Sequence, residues 1–353
     1  MLCFTGKTIF LLTPLFLLGL ISTVAPASAG EVNIFIYHRF GDERYPSTNI
    51  SSDQFESHLK YLQQSKTEVY SLSEIVSRLR SGQKLPDKAA VLTVDDGFSS
   101  FLTHGMPLLR QYGFPVTLFV NTDNVGNSGY LSWDDLRMLV KQGVVIGNHS
   151  ATHDYLIERR GGETKAAWSD RIKADILQAE NAFIKELGQK PTLFAYPYGE
   201  FSQELAAIVK NLGFAAAIAQ QSGVVDETTD LFAVPRFPMG GEYATLEQFR
   251  SKLSMHRLNA QIIGEADTIL VNDPPAIQVR LDVDRLDLRR LQGFVQGENR
   301  LKIEQIKGST TDFLLQAEKP LTGRRNKYTL TVPLKTGGWG WFSHPWFRIP
   351  SSQ

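Results

Sequence analysis

The sequence predicts an α/β domain followed by a smaller β-rich domain. Short apolar runs alternate with amphipathic helical patterns from Glu31 to about Asn272, as in mainly parallel strands joined by helices. After Asp273, Pro274 and Pro275, the pattern changes to short alternating strands separated by turn residues. A chain of 353 residues can fill a core in each domain.

The amino terminus has the features of a secretory signal peptide over residues 1–29. Lys7 precedes an apolar run over residues 9–21, and a small-residue pattern over residues 27–29 ends just before Gly30. We expect cleavage there, no integral membrane span afterwards, and export to the periplasm or the medium. An uncleaved anchor is the alternative. Cys3 is the only cysteine, so the exported chain would hold no disulfide.

The charge balance bears on the class of partner. Lysine plus arginine and aspartate plus glutamate number 37 each. Electrostatic capture of nucleic acid or of an anionic lipid surface needs an excess of positive charge. The composition therefore indicates a neutral partner and no nucleic acid.

The first domain, expected over residues 30–272, has the signals of seven strands with helices between them. Phe55, Leu59 and Leu62 repeat at helical spacing, Ser132 and Asp135 form a candidate capping box, and Gly188 stands where a helix should end. Seven strands in this alternation fit either a barrel or a wound sheet. The candidate strands cover residues 32–37, 89–94, 116–121, 144–147, 192–196, 215–219 and 268–271.

The second domain, expected over residues 273–353, has alternating patterns over residues 277–283, 301–306, 313–316 and 328–332. This favours a β-sandwich-like module. It contains an aromatic cluster over residues 338–346 with Trp339, Trp341 and Trp346. Exposed rings could stack on sugars, but aromatic residues near a strand end more often belong to a core or an interdomain contact.

Two adjacent carboxylates, Asp95 and Asp96, follow the strand over residues 89–94 and precede Gly97. Strand carboxyl ends are where α/β domains place their sites. A turn at Gly97 would let both carboxylates approach one site from different directions. Alternatively, Asp-Gly is an ordinary turn dipeptide exposed to solvent.

Two histidines four residues apart, His149 and His153, follow the strand over residues 144–147. We expect this spacing to bring both imidazoles to one side of a helical turn, the geometry that a shared metal needs. The metalloprotease motif has the same spacing but needs glutamate after the first histidine, where this chain has Ser150.

Taken together, these segments predict a catalytic metal site. Asp96, His149 and His153 offer one carboxylate and two imidazoles, a ligand set that suits Zn²⁺ with a position open for water. Asp95 could accept a proton from that water. A strand that runs into Pro197, Tyr198 and Gly199 could aim a backbone N–H at an oxyanion.

The three segments, TVDDG at 93–97, His149-Ser-x-x-His153 and PYG at 197–199, resemble the first three motifs of the polysaccharide deacetylases, the carbohydrate esterase family 4 or NodB-homology group. The resemblance covers about residues 31–272. It implies a distorted (β/α) barrel of about seven strands and metal-dependent hydrolysis of N-acetyl groups on sugars. The implied partner is an N-acetylated polysaccharide.

Two positions depart from that family's usual pattern. Ala195 or Tyr196 stands where members carry an arginine that orients the catalytic aspartate, and Asn272 stands where most have a late histidine acid. The branch that deacetylates poly-β-1,6-N-acetylglucosamine resembles this chain more closely. By that resemblance, His38 after Tyr37 takes the acid role and Arg236 in Val234-Pro235-Arg236 orients Asp95.

The resulting hypothesis is deacetylation of an N-acetylglucosamine polysaccharide. Asp95 serves as base, His38 as acid, and the Tyr198 N–H as oxyanion donor. Two alternatives stay open: a deacetylase of peptidoglycan or chitin-like oligomers, and a non-catalytic exported carbohydrate-binding protein.

Overall fold

The structure is a computed structural model that describes residues 1–3, 30–264, 267–295 and 299–349. Residues 4–29 of the predicted signal peptide therefore lie outside the described residues. In the part of the chain that is described, no helix has the length and apolar character needed to cross a membrane.

Among the described residues, the α-helices lie in the first part of the chain. Phe55, Leu59 and Leu62 are buried on the first helix, as their spacing predicts. The capping box of Ser132 and Asp135 is confirmed, and Gly188 ends the longest helix in the left-handed conformation. The α-helices of the described residues are α1 (Ser52–Gln64), α2 (Leu72–Ser81), α3 (Met106–Tyr112), α4 (Trp133–Lys141), α5 (Lys165–Leu187), α6 (Gln203–Asn211) and α7 (Leu246–Leu253).

The strands of the first part build one parallel sheet in the order β10-β1-β5-β6-β7-β8-β9, with the short β4 also paired to β5. Two further short strands, β2 and β3, pair with each other. The bounds are β1 (Val32–Tyr37), β2 (Arg39–Phe40), β3 (Asn49–Ile50), β4 (Glu68–Val69), β5 (Ala89–Val94), β6 (Thr117–Val120), β7 (Val145–Asn148), β8 (Leu193–Ala195), β9 (Ala216–Ile218) and β10 (Phe237–Pro238).

The segment that leads into β10 brings the two edges of this sheet together. Val234 forms a parallel bridge with Ile218 of β9, and three residues later Phe237 pairs with Phe35 of β1. The predicted distorted (β/α) barrel is therefore confirmed, with a short and irregular seventh strand. Arg236 lies in this closing segment and is fully buried.

The seventh strand was predicted at the wrong place. Residues 268–271 form no strand of the barrel; Ile269 makes only an isolated bridge to Phe347, and Val271 is exposed. Asn272, the expected counterpart of a late histidine, lies in an exposed bend. β10 occupies the edge beside β1 instead. The interpretation of Asn272 as a substituted active-site position is therefore wrong.

The last part of the chain forms two four-stranded sheets, in the orders β11-β18-β17-β14 and β12-β13-β16-β15. Buried side chains from both sheets, among them Val279, Leu315, Leu330 and Val332, form one hydrophobic cluster. The bounds are β11 (Met255–Arg257), β12 (Ala260–Ile263), β13 (Ala276–Leu281), β14 (Gln292–Phe294), β15 (Leu301–Gln305), β16 (Asp312–Ala317), β17 (Arg325–Pro333) and β18 (Trp339–Phe347).

This arrangement is a small sandwich, as predicted, and two strands from before residue 273 join it. The domain boundary at 272 and 273 stays a prediction. Trp346 packs in the sandwich core beside Tyr328. Trp341 meets Phe237 of β10 edge-on, with the ring centres 5.6 Å apart, and donates to the carbonyl of Ser222. These two tryptophans serve the core and the contact with the barrel.

Candidate active site

Neighbouring parallel strands place His38 and the two aspartates at one end of the barrel. Tyr37 of β1 pairs with Val94 of β5, and the N–H of Asp95 donates to the Tyr37 carbonyl at 3.0 Å. His38 and Asp95 therefore leave adjacent strand ends. Asp96 and Gly97 then take positive φ values of 75° and 73°, which turn the chain. Asp95 is fully buried, whereas the Asp96 side chain is 16% exposed.

Asp96, His149 and His153 form a compact ligand cluster. The Asp96 Oδ1 lies 3.2 Å from Nε2 of His153 and 3.5 Å from Nε2 of His149. One ligand atom from each residue lies within 4.8 Å of the others. Desolvation would raise the pKa of Asp96, but the two imidazoles that face it outweigh this effect and hold the pKa well below its usual range. The carboxylate is therefore ionised and available to a cation.

The surroundings of His149 leave one ring nitrogen free for a metal. Its Nδ1 lies 2.7 Å from the carbonyl oxygen of Ala195 at the end of β8. An N–H at Nδ1 that donates to this carbonyl puts the lone pair on Nε2, which faces Asp96. Ala195, one of the positions where the family's usual arginine is absent, thus contributes through its backbone.

The two histidines do not lie on a helical turn, so that expectation is wrong. They belong to a loop in which Ser150 and His153 have φ values of 65° and 60°. Ser150 Oγ accepts from the His153 N–H at 2.9 Å, and Asn148 Oδ1 accepts from the Ser150 N–H at 2.8 Å. A loop with these side-chain bonds brings the imidazoles together where a helix was expected.

Unusual backbone conformations concentrate at this site. In the described residues, the non-glycine positions with positive φ are Asp96, Ser150, His153, Tyr198 and, away from the site, Lys66. A left-handed backbone at such residues costs roughly 1–3 kcal/mol and persists where the surrounding structure holds it. All three sequence motifs carry such a residue, which is typical of a functional site.

Arg236 reaches Asp95 from the segment that closes the barrel. Its Nη1 and Nη2 donate to the two carboxylate oxygens of Asp95 at 2.7 Å each, and its Nε donates to the Ala219 carbonyl at 2.9 Å. Nη1 also donates to Thr93 Oγ1 at 3.1 Å. Burial would raise the pKa of Asp95, yet the charge of Arg236 outweighs it and this pKa is lowered.

His38 is partly exposed at the mouth of the barrel. Its imidazole makes no hydrogen bond within the described residues. Desolvation lowers the pKa of His38; the charges of Asp96 and Asp95 raise it, but by less. The free side chain is near both aspartates.

The Pro197–Gly199 turn carries Tyr198 in a left-handed conformation, with φ of 60°. The Tyr198 ring packs edge-on against His153, with centres 4.5 Å apart, and stacks on Tyr155 at 4.2 Å. Among the described residues, no acceptor engages the Tyr198 backbone N–H. The third motif therefore lies beside the ligand cluster.

Residues of the sandwich support this turn, and no sequence pattern predicts them. Arg324 donates to both carboxylate oxygens of Glu200 at 2.7 Å each and also contacts Glu158. Its guanidinium lies 3.8 Å from the centre of the Tyr155 ring. Glu200 directly follows the third motif, but a partner 124 positions away leaves no local sequence signal.

A comparison with protein families identifies the first part of the chain. The model described as polysaccharide deacetylase matches residues 82–217, a range that holds both aspartates, both histidines and the third motif. The chain contains a polysaccharide deacetylase domain. By family it is a deacetylase enzyme.

Relatives of this polysaccharide deacetylase include two that are named poly-beta-1,6-N-acetyl-D-glucosamine N-deacetylase. The protein from Staphylococcus aureus (strain MRSA252) is 23% identical over 59% of this chain and 73% of its own length. The protein from Escherichia coli (strain K12) is 23% identical over 69% of this chain but only 41% of its own, longer sequence.

Solved structures share the fold of this deacetylase domain. IcaB from Ammonifex degensii aligns with a TM-score of 0.56 and 24% identity, over 64% of this chain and 98% of that one. The Streptococcus pyogenes deacetylase PplD, solved in complex with acetate, aligns with a TM-score of 0.56 and 19% identity, over 64% and 99%. At these identities the likeness concerns the fold alone.

Proposed function

We propose that this chain hydrolyses the N-acetyl groups of N-acetylglucosamine units in a polysaccharide and releases acetate, with a divalent metal ion, Zn²⁺ in the first place, as cofactor. One observation carries the proposal: the Asp96, His149 and His153 cluster lies at the barrel mouth beside a second, buried aspartate that Arg236 holds. With the predicted signal peptide, the substrate would be a polymer outside the cytoplasm.

The residues present fit a metal ion by their chemistry. Two imidazole nitrogens and one carboxylate oxygen are a common ligand set of catalytic zinc, and the Ala195 carbonyl fixes His149 in the tautomer that can coordinate. When bound, such an ion would lower the pKa of a water molecule and polarise the acetamide carbonyl. Side chains and backbone groups of the protein would transfer the protons and bind the oxyanion.

Asp95 would act as the general base. Its carboxylate is ionised, and Arg236 holds it by two parallel hydrogen bonds. The Asp95 Oδ2 lies 3.9 Å from Nε2 of His149, so the base and the ligand cluster face the same space. Arg236 would serve as a positioning residue for Asp95, since it touches no reacting atom.

His38 would protonate the departing amine nitrogen, and the Tyr198 N–H would donate to the oxyanion. The support is their placement: His38 leaves the strand next to Asp95, and Tyr198 packs on His153. An amine leaves poorly without a proton, which makes an acid necessary in the scheme.

The names of the relatives support β-1,6-linked poly-N-acetylglucosamine as the substrate. A substrate panel separates this from the alternatives. We expect the full chain to release acetate faster from β-1,6-linked than from β-1,4-linked N-acetylglucosamine oligomers of equal length. Preference for β-1,4 oligomers would instead support peptidoglycan or chitin-like substrates.

The same panel addresses the non-catalytic alternative. Wild-type protein that holds metal and binds oligomers but releases no acetate would be a carbohydrate-binding protein, and the proposal would be wrong. Asp95→Asn serves as the matched inactive control, because it keeps the side-chain volume while removing the base.

A further inference from the structure

A cavity of about 510 Å³ adjoins the active site where the barrel meets the sandwich. Barrel loops contribute Tyr198, Gln220 and Tyr243 to its wall, and the sandwich contributes Arg325 and Lys327 from β17. This volume falls in the range of roughly 300–1,000 Å³ that is usual for ligand pockets. Because Tyr198 packs on His153, the cavity begins one side chain away from the ligand cluster.

The wall of this cavity carries more positive than negative side chains. Three cations line it, Arg324, Arg325 and Lys327, whereas no aspartate or glutamate does. Glu200 and Glu158 neutralise Arg324. The other two differ: Arg325 comes no closer than 4.0 Å to Glu200, and Lys327 Nζ donates to Ser222 Oγ at 3.0 Å, with no carboxylate within salt-bridge distance among the described residues.

An unpaired ammonium inside a protein costs free energy unless a partner satisfies it. Lys327 is only partly exposed, and burial lowers its pKa to about 8, so it is charged at neutral pH. Lys252 adds to the positive charge nearby; its Nζ lies 4.2 Å from the centre of the Trp341 ring. A neutral ligand would leave this cost in place, whereas an anionic group would offset it.

We propose that this cavity is a substrate subsite for an anionic sugar unit, in which Lys327 and Arg325 bind a carboxylate of the polymer next to the N-acetylglucosamine being deacetylated. The tyrosine rings of Tyr198 and Tyr243, the latter 49% exposed, offer faces on which a pyranose can stack. The inference rests on the proposed function and deepens it: the substrate would be an N-acetylglucosamine polymer that also carries acidic groups, not the neutral homopolymer.

The test uses two derivatives of the same N-acetylglucosamine oligomer, carboxymethylated or hydroxyethylated to equal degree, which match in size and differ in charge. We expect kcat/KM for acetate release to be about tenfold higher for the carboxymethylated oligomer, as one charge-assisted contact would give. Lys327→Met should bring this ratio close to one, and Lys327→Arg should keep most of it. Lys302→Met, at an exposed position of β15, is the control that should retain the full ratio.

Equal kcat/KM for both derivatives in the wild-type protein would overturn the inference, as would a full preference in Lys327→Met. If no oligomer releases acetate, the proposed function fails, yet calorimetric affinities of the same two derivatives for the full chain still decide the subsite. A tighter carboxymethylated ligand that loses its advantage in Lys327→Met would support the subsite alone. Unfolding temperatures of all variants verify that each is folded.

Discussion

Arg236 binds both carboxylate oxygens of Asp95 at 2.7 Å each, and neither side chain is exposed to solvent. The two residues are 141 positions apart, and only the closing segment of the barrel brings them together. A buried, bidentate ion pair fixes the direction of the carboxylate as well as its charge. The base of the proposed reaction is therefore oriented by the last element that completes the barrel.

Removal of Arg236 should be costly because it leaves a buried charge without a partner. We expect Arg236→Met to lower the free energy of unfolding by about 3–5 kcal/mol, as measured by urea denaturation. The matched control is Arg280→Met, since Arg280 binds Asp312 with similar geometry but is 53% exposed. The control should lose only a small part of that stability. Equal losses in the two variants would contradict the importance of burial.

Arg324 should matter for catalysis as well as for folding, because its loss also leaves the buried Glu200 carboxylate without its bidentate partner. Its bonds to Glu200 and its contact with Tyr155 support the turn that carries Tyr198. We expect Arg324→Met to lower kcat by about tenfold, because displacement of the turn would misplace the Tyr198 N–H. Metal binding should weaken as well, because Tyr198 packs on His153. Kinetics and metal titration test this. Arg289→Met, on an exposed pair with Asp287, should leave both unchanged.

Loss of His38 should remove the proposed general acid. His38→Gln is expected to lower kcat/KM by roughly 100-fold or more, the usual size of such contributions. The pKa of His38 is lowered from the ordinary 6.5. The wild-type rate should therefore fall as pH rises through the pKa of His38, because the imidazole then loses the proton that it must donate. The variant should lack this alkaline limb of the pH profile. A variant with unchanged rate and profile would assign the acid role to another group.

Acid should destabilise the fold through two buried histidines. Burial lowers the pKa of both His58 and His344 to about 4, below the ordinary 6.5. Between these values the unfolded chain binds more protons, so stability is full above pH 6.5 and is lost as pH falls towards 4, by about 3 kcal/mol for each histidine. Urea unfolding across this range measures the slope. His58→Gln should flatten the slope, whereas replacement of the exposed His104 by Gln should leave it unchanged. An unaltered slope in His58→Gln would show that His58 does not cause the loss of stability.

The parts of the fold that could be predicted have local signals. Neighbouring residues are enough to predict the strand before Asp95, the helix with Phe55 and the order of the three motifs. β10 has only two residues, Phe237 and Pro238, and directly follows Arg236, so no long apolar run marks it. Residues 268–271 have such a run but lie outside the barrel sheet.

At the site, sequence spacing identified which histidines belong together but not the backbone that joins them. The positive φ values of Ser150 and His153 depend on bonds within the loop, and a spacing of four fits a helix equally well. Arg324 directly precedes β17 and Lys327 lies in it, so both reach this region from the sandwich. Only the packing of the sandwich against the barrel reveals them.

The most direct measurement follows acetate release by the full chain from β-1,6-linked N-acetylglucosamine oligomers at three stages: as purified, after a chelator has removed all metal as verified by elemental analysis, and after Zn²⁺ is added back. We expect release to stop in the metal-free protein and to return with one equivalent of Zn²⁺. Release at the original rate from metal-free protein would contradict the assignment of Asp96, His149 and His153 as ligands of a catalytic metal.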